Sequence, residues 1–145
     1  MHNRALFAIA LAGLLGGLSL LHAYWALGGK WGSAYTVPVV ANKRTFEPSP
    51  LATWVVCGLL GIATILVVQK AGWMPAGPVP IFVDAGVWLL SVVFLLRAIG
   101  NLRTFGFFKT VTDTPFAQWD TWLYSPLCLL LAALAAGLAR LPRRN

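Results

Sequence analysis

Apolar residues in this chain do not alternate with polar ones. They run in four long blocks, over about residues 5–27, 51–69, 79–100 and 120–139. A helix rises about 1.5 Å per residue, so about 20 apolar residues cross a hydrocarbon layer about 30 Å thick. Unbroken apolar runs of that length predict helices, because membrane strands would alternate. The pattern predicts an all-α, integral membrane four-helix bundle forming a single transmembrane domain over residues 1–145. Loop 1 (28–50) and loop 3 (101–119) then fall on one side. Loop 2 (70–78) and both termini fall on the other.

The stretches between the blocks carry their own signals. Gly28, Gly29 and Gly32 stop the first helix. Pro38, Pro48 and Pro50 keep loop 1 from becoming regular, while Trp31, Tyr35 and Phe46 make it amphipathic. Loop 3 interleaves Phe105, Phe107, Phe108, Phe116 and Trp119 with Arg103, Lys109 and Asp113, a mixture suited to headgroup level. Thr114 followed by Pro115 predicts an N-cap with proline at the first helical position, so the fourth helix starts near Phe116. Pro126 then lies inside that helix and predicts a bend, with neighbouring groups satisfying the freed carbonyl. Gly13 and Gly17 form a GxxxG pair, which predicts close helix packing.

Composition agrees with the pattern. Hydrophobic types make up 59% of the chain and charged types 10%. A soluble domain carries roughly 25% charge, so this chain could not cover a water-facing surface. The net charge of +7 would suggest nucleic acid in a soluble protein. Here the basic residues sit in loops and tails beside apolar spans, so membrane lipids are the expected partner and nucleic acid is not. The first block is longer than a leader's apolar core and ends in His22, Tyr24 and Trp25, so it reads as a retained helix. Arg4, Lys70, Arg140, Arg143 and Arg144 on the terminal side balance Lys30, Lys43, Arg44, Arg103 and Lys109 on the other. The three arginines directly after the last span tip the expectation towards cytoplasmic termini.

Candidate chemistry collects at the loop 1/loop 3 end. His22 lies roughly 9 Å below that surface, where an imidazole needs a partner. Arg97, Asn101, Asp120 and Ser125 approach the same surface from the third and fourth helices. Arg97 follows an apolar run, so it is expected to turn into the bundle and share an anionic partner with Arg103, either Asp120 or a ligand headgroup. Asp84, at the opposite end, reads as a hydrated acid at a helix N-terminus. Cys57 and Cys128 read as small buried apolar residues. With no C-x-x-C and no paired Cys–His spacing, neither a metal nor a cofactor is predicted.

The stretch His22-Ala-Tyr-Trp25-Ala-Leu-Gly28-Gly29-Lys-Trp31-Gly32 resembles a signature of the small bacterial membrane proteins grouped as domain of unknown function 3995. Arg97-Ala-Ile-Gly100-Asn101-Leu-Arg103, Gly106-Phe107-Phe108-Lys109, Phe116-Ala-Gln-Trp119-Asp120 and Leu123-Tyr124-Ser125-Pro126-Leu127-Cys128 resemble its second signature. The resemblance implies a multi-pass four-helix protein of the bacterial cell membrane and implies no reaction. It marks His22, Trp25, Arg97, Arg103, Lys109, Asp120, Tyr124 and Ser125 as motif positions. With Asn101, these form the expected ligand-binding set, taking a lipid-like or other apolar or anionic amphipathic ligand. Two alternatives stay open. One is a membrane enzyme with His22 and Asp120 as the acid–base candidates. The other is a structural or accessory subunit docking a membrane protein or a second copy of the chain.

Overall fold

Ala8, Leu11 and Leu15 recur every three or four residues and are fully buried, which places one face of the first helix, α1 (His2–Ala26), against its neighbours. Ala63, Val67 and Ala71 do the same for α2 (Pro50–Ala71). Val83 and Val87 serve α3 (Pro80–Ile99), and Leu131, Ala135 and Leu138 serve α4 (Pro115–Arg140). The computed structural model describes residues 2–40, 43–44, 47–75 and 80–142. Phe46, Val79, Arg143 and Arg144, used in the sequence reading, lie outside the described residues. All four helices are long and apolar enough to cross a membrane.

The bundle is built from two antiparallel hairpins. α1 packs most extensively on α2, and α3 on α4; α1 also meets α4, and α2 meets α3. A hydroxyl ties each hairpin at mid-depth. Ser19 donates to the Cys57 carbonyl at 2.9 Å across α1 and α2, and Ser91 donates to the Ala132 carbonyl at 2.9 Å across α3 and α4. Hydrocarbon offers these groups no other partner, and such bonds are worth about 0.6–2 kcal/mol there. Large apolar side chains such as Leu20, Leu59, Ile62, Leu89 and Leu96 point outward, which a membrane accommodates and water would not.

The cap expected at Thr114 is present, and Pro50, read as a loop residue, instead opens α2 behind a cap of the same kind. Ser49 Oγ accepts from the Ala52 N–H at 3.1 Å ahead of Pro50, and Thr114 Oγ1 accepts from the Ala117 N–H at 3.1 Å ahead of Pro115. In loop 1 a 3-10 turn, Ser33–Tyr35, is followed by a two-residue antiparallel ladder, β1 (Val39–Val40) with β2 (Lys43–Arg44). Pro126 is accommodated by a π-turn over Asp120–Tyr124 rather than by the plain bend expected. Proline has no N–H to continue the α pattern, and the wider turn lets the Ser125 N–H reach back to the Asp120 carbonyl.

Two expectations are corrected at the periphery. Gly13 and Gly17 are exposed, and a Cβ at either would meet nothing within 4 Å. The face of α1 used for packing is set by Ala8, Leu11 and Leu15, so the glycine turned towards α2 is Gly16, beside Thr64. Asp84 is ion-paired rather than simply hydrated: Lys70 Nζ reaches its Oδ1 at 2.8 Å, with the lysine side chain 4% exposed. The same end is tied by Arg4, which donates to the Pro142 carbonyl, and by Arg140 over the Trp88 ring.

The glycine assignment gives a direct test. Gly13→Leu and Gly17→Leu should leave thermal stability in detergent within about 0.5 kcal/mol of wild type. Gly72 closes α2 with φ +83, so Gly72→Leu should lose about 1 kcal/mol or more. The reverse order would place Gly13 and Gly17 inside the bundle.

Candidate functional site

The site begins where α3 stops. Gly100 takes φ +88, which L side chains rarely adopt, and its N–H still bonds to the Leu96 carbonyl. Asn101 then organises the turn. Its Oδ1 accepts from the N–H groups of Arg103, Thr104 and Phe105, and its Nδ2 donates to Thr104 Oγ1 at 2.8 Å. The chain returns at Gly106, φ +91, and the Phe107 N–H bonds to the Ala98 carbonyl at 2.8 Å. A Cβ on Gly100 would collide with the main chain at Phe105 and Gly106, and one on Gly106 with Ile99 and Gly100. Two glycines are thus required for the loop to fold back on the helix end.

This fold-back aims the Gly106 N–H at Asp120 Oδ2, 2.7 Å away. Asp120 is 0% exposed and opens the π-turn of α4. Its carboxylate takes four hydrogen bonds. Arg97 Nη2 donates to Oδ1 at 2.8 Å. Gly106 N–H, Lys109 Nζ at 3.1 Å and Ser125 Oγ at 3.2 Å donate to Oδ2. The π-turn helps here, because it brings Ser125 back over Asp120. Lys109 spends its three N–H groups on Asp120, the Gly106 carbonyl at 3.1 Å and Thr121 Oγ1 at 2.6 Å.

Arg97 is held differently. Its side chain is 31% exposed, its Cζ lies 4.6 Å from the Phe105 ring centroid, and only Nη2 meets the carboxylate. Nη1 is buried and has no hydrogen-bond partner. Two cations therefore face one carboxylate, and the cluster keeps one positive charge.

The nine expected residues divide into groups. Arg97, Lys109, Asp120 and Ser125 meet in the ionic cluster, and Asn101 builds the loop beneath it. Arg103 does not share Asp120 as expected: its side chain is exposed, and Lys109 takes the place foreseen for it. Lys109 was the less obvious choice because loop 3 doubles back, which spacing alone does not reveal. Tyr124 leaves the cluster; its hydroxyl donates to the Tyr35 carbonyl at 3.3 Å, and its ring lies 6.1 Å from Phe116. It pins loop 1 to α4.

His22 and Trp25 belong to a separate open pocket of about 660 Å³ between the end of α1, loop 1 and the start of α2. Glu47, Thr53 and Val56 also line it, and no residue of the ionic cluster does. His22 Nδ1 lies 2.7 Å from the Leu18 carbonyl, which can only accept, so Nδ1 carries the ring proton. The ring meets Trp25 edge-on, with centroids 5.1 Å apart.

Sequence reading missed Gly106, Thr121, Glu47 and the Lys70–Asp84 pair. The last was within reach: Lys70 and Asp84 lie near the ends of consecutive antiparallel spans, hence at matched depth. Among the described residues no group of three or more His, Cys, Asp or Glu could hold a metal ion.

The fold and this end-on ionic cluster define a small four-helix, multi-pass membrane protein. The chain belongs to the family described as "Protein of unknown function (DUF3995)", whose sequence model matches residues 15–135. No curated protein and no solved structure matches the chain.

Removing the central carboxylate tests the cluster. Asp120→Asn should cost about 3–5 kcal/mol of stability, because it strands two cations on a neutral amide. Arg97→Gln should cost less, since that side chain is partly exposed. The double change should lose less than the sum of the two, as for residues in one network. Denaturation of the three variants in detergent gives the cycle; strictly additive losses would mean that the pair is not coupled.

Proposed function

We propose that the protein binds an amphipathic molecule with an anionic head, such as a membrane lipid, at the loop 1/loop 3 end. The observation that carries this reading is the surplus charge on Arg97. Asp120 carries one negative charge and cannot balance both cations that donate to it. Arg97 keeps its charge on a side chain that is 31% exposed, although its partnerless Nη1 is itself buried. A guanidinium left at membrane depth is costly, and an anionic oxygen that accepts from it offsets that cost with a charge-assisted bond. Arg103 in the same loop adds a second exposed cation, and Phe107 and Phe108 supply exposed apolar surface for a tail.

Lys109 drops out of the headgroup role, because all of its donors are already used inside the protein. Asp120 is equally unsuited to acid–base work: it is sealed from solvent and bonded on both oxygens. The enzyme alternative therefore loses one of its two named groups, and binding is the better reading.

Arg103→Gln is the cleaner probe, since its exposed side chain makes no hydrogen bond or ion pair among the described residues. It should keep the wild-type unfolding temperature yet retain roughly fivefold to tenfold less phosphatidylglycerol in native mass spectra after mild detergent extraction, the loss of about 1–1.4 kcal/mol of charge-assisted contact. Arg97→Lys keeps the charge without the fork and should also bind less. Wild-type retention of phosphatidylglycerol by both variants would overturn the proposal.

A further inference from the structure

The pocket at the end of α1 has a one-sided hydrogen-bonding character. Its wall includes Ser33, Thr36 and Thr53, and each hydroxyl has already given its proton to a backbone carbonyl. Ser33 donates to Lys30 at 2.9 Å, Thr36 to Ser33 at 2.9 Å and Thr53 to Ser49 at 3.1 Å. The Trp25 indole N–H is spent on the Trp31 carbonyl at 2.8 Å. His22 has spent its Nδ1 proton on Leu18, which leaves Nε2 as an acceptor in the neutral ring. Ser49 is the exception among these side chains: its oxygen accepts from Ala52, and its own proton is not committed.

Charge points the same way. Glu47 is a carboxylate on the wall, and among the described residues no lysine or arginine lines the pocket. This is notable in a chain with 11 basic and 4 acidic residues, because an anion site would be expected to draw on that excess of cations. The side chains thus offer lone pairs, one negative charge and the indole of Trp25, while Val37, Ala52 and Val56 continue the wall with apolar surface. Acceptors, a carboxylate and an aromatic ring are the groups that receive an ammonium carrying N–H donors. The pocket volume of about 660 Å³ lies within the usual range for a small-molecule site.

We propose that this pocket binds the primary ammonium group of an amphipathic amine. The head sits among Glu47, His22 and the hydroxyl oxygens, and the apolar part runs along Val37 and Val56. The site shares no residue with the Arg97 cluster and does not depend on the reading of that cluster. A primary ammonium can come from an aminolipid headgroup or from a free amine, and the two sources are separable by experiment.

Intact protein in mild detergent is incubated with phosphatidylethanolamine, phosphatidylcholine or phosphatidylglycerol of matched chains, and in parallel with n-hexylamine, and adducts are counted by native mass spectrometry. Glu47→Gln is compared with wild type for each probe, with unfolding temperature checking the fold. Glu47 is exposed and supports no core contact, so the variant should fold. We expect Glu47→Gln to lower retention of a primary-amine probe roughly tenfold, the usual weight of a hydrogen bond to a charged group. Phosphatidylglycerol and phosphatidylcholine should be unaffected. An effect on phosphatidylethanolamine assigns a headgroup site, and an effect on hexylamine alone assigns a soluble amine. The proposal is overturned if Glu47→Gln leaves both primary amines unchanged, or lowers all four probes alike. Loss of phosphatidylglycerol in Arg103→Gln reports separately on the other site.

Discussion

A carboxylate sealed from water sets the terms for one whole end of this protein. Asp120 is 0% exposed, and an ion in that setting costs several kcal/mol unless opposite charge and hydrogen bonds surround it. Loop 3 is shaped to provide them. α3 delivers Arg97 from below, the two glycines let the Gly106 N–H come within 2.7 Å, and the loop's return brings Lys109 into the interior. Even the irregularity of α4 contributes, since the π-turn returns Ser125 to the same oxygen. Loop 3 is thereby held by one side chain on the helix it precedes.

The spans were legible in the sequence because the membrane imposes a length and forbids unpaired backbone. The helix start at Pro115 was legible for a local reason, a hydroxyl cap followed by proline, while the same motif at Ser49 and Pro50 was read as part of loop 1. Arg97 meeting Asp120 was also within reach, because both lie at matched depth on consecutive spans. What was not legible depended on the path of loop 3. Whether Arg103 or Lys109 turns inward is decided by left-handed backbone at Gly100, Leu102 and Gly106, and residue spacing does not encode that path. The GxxxG pair misled because the pattern says that a backbone can be approached, not which neighbour approaches it. The expected residues divide because His22 and Trp25 share a pocket with loop 1, through Ser33, Thr36 and Val37, and not with loop 3.

The two ends of the bundle solve the same electrostatic problem with different margins. At the loop 2 end Lys70 pairs with Asp84, whose side chain is 43% exposed. At the loop 3 end the anion is buried deeper and answered by two cations. The first arrangement closes a hairpin, with Arg4 and Arg140 held beside it on the Pro142 carbonyl and the Trp88 ring. The second seals the anion from water and sets two cations against it, so the two ends differ in the depth of the carboxylate.

The π-turn carries a consequence for how this helix tolerates change over evolution. It holds one residue more than an α-turn, so α4 is in effect a regular helix with an insertion at Asp120–Tyr124. Deleting a single residue there would restore regular winding and rotate everything on its N-terminal side by about 100° relative to the core-facing Leu131 and Ala135. Asp120 would swing off its cations without any charged residue having been altered. In this stretch the reading frame of the helix, as much as the identity of its side chains, is under constraint, and a one-residue gap between relatives would mark a lineage that had rebuilt or abandoned the site.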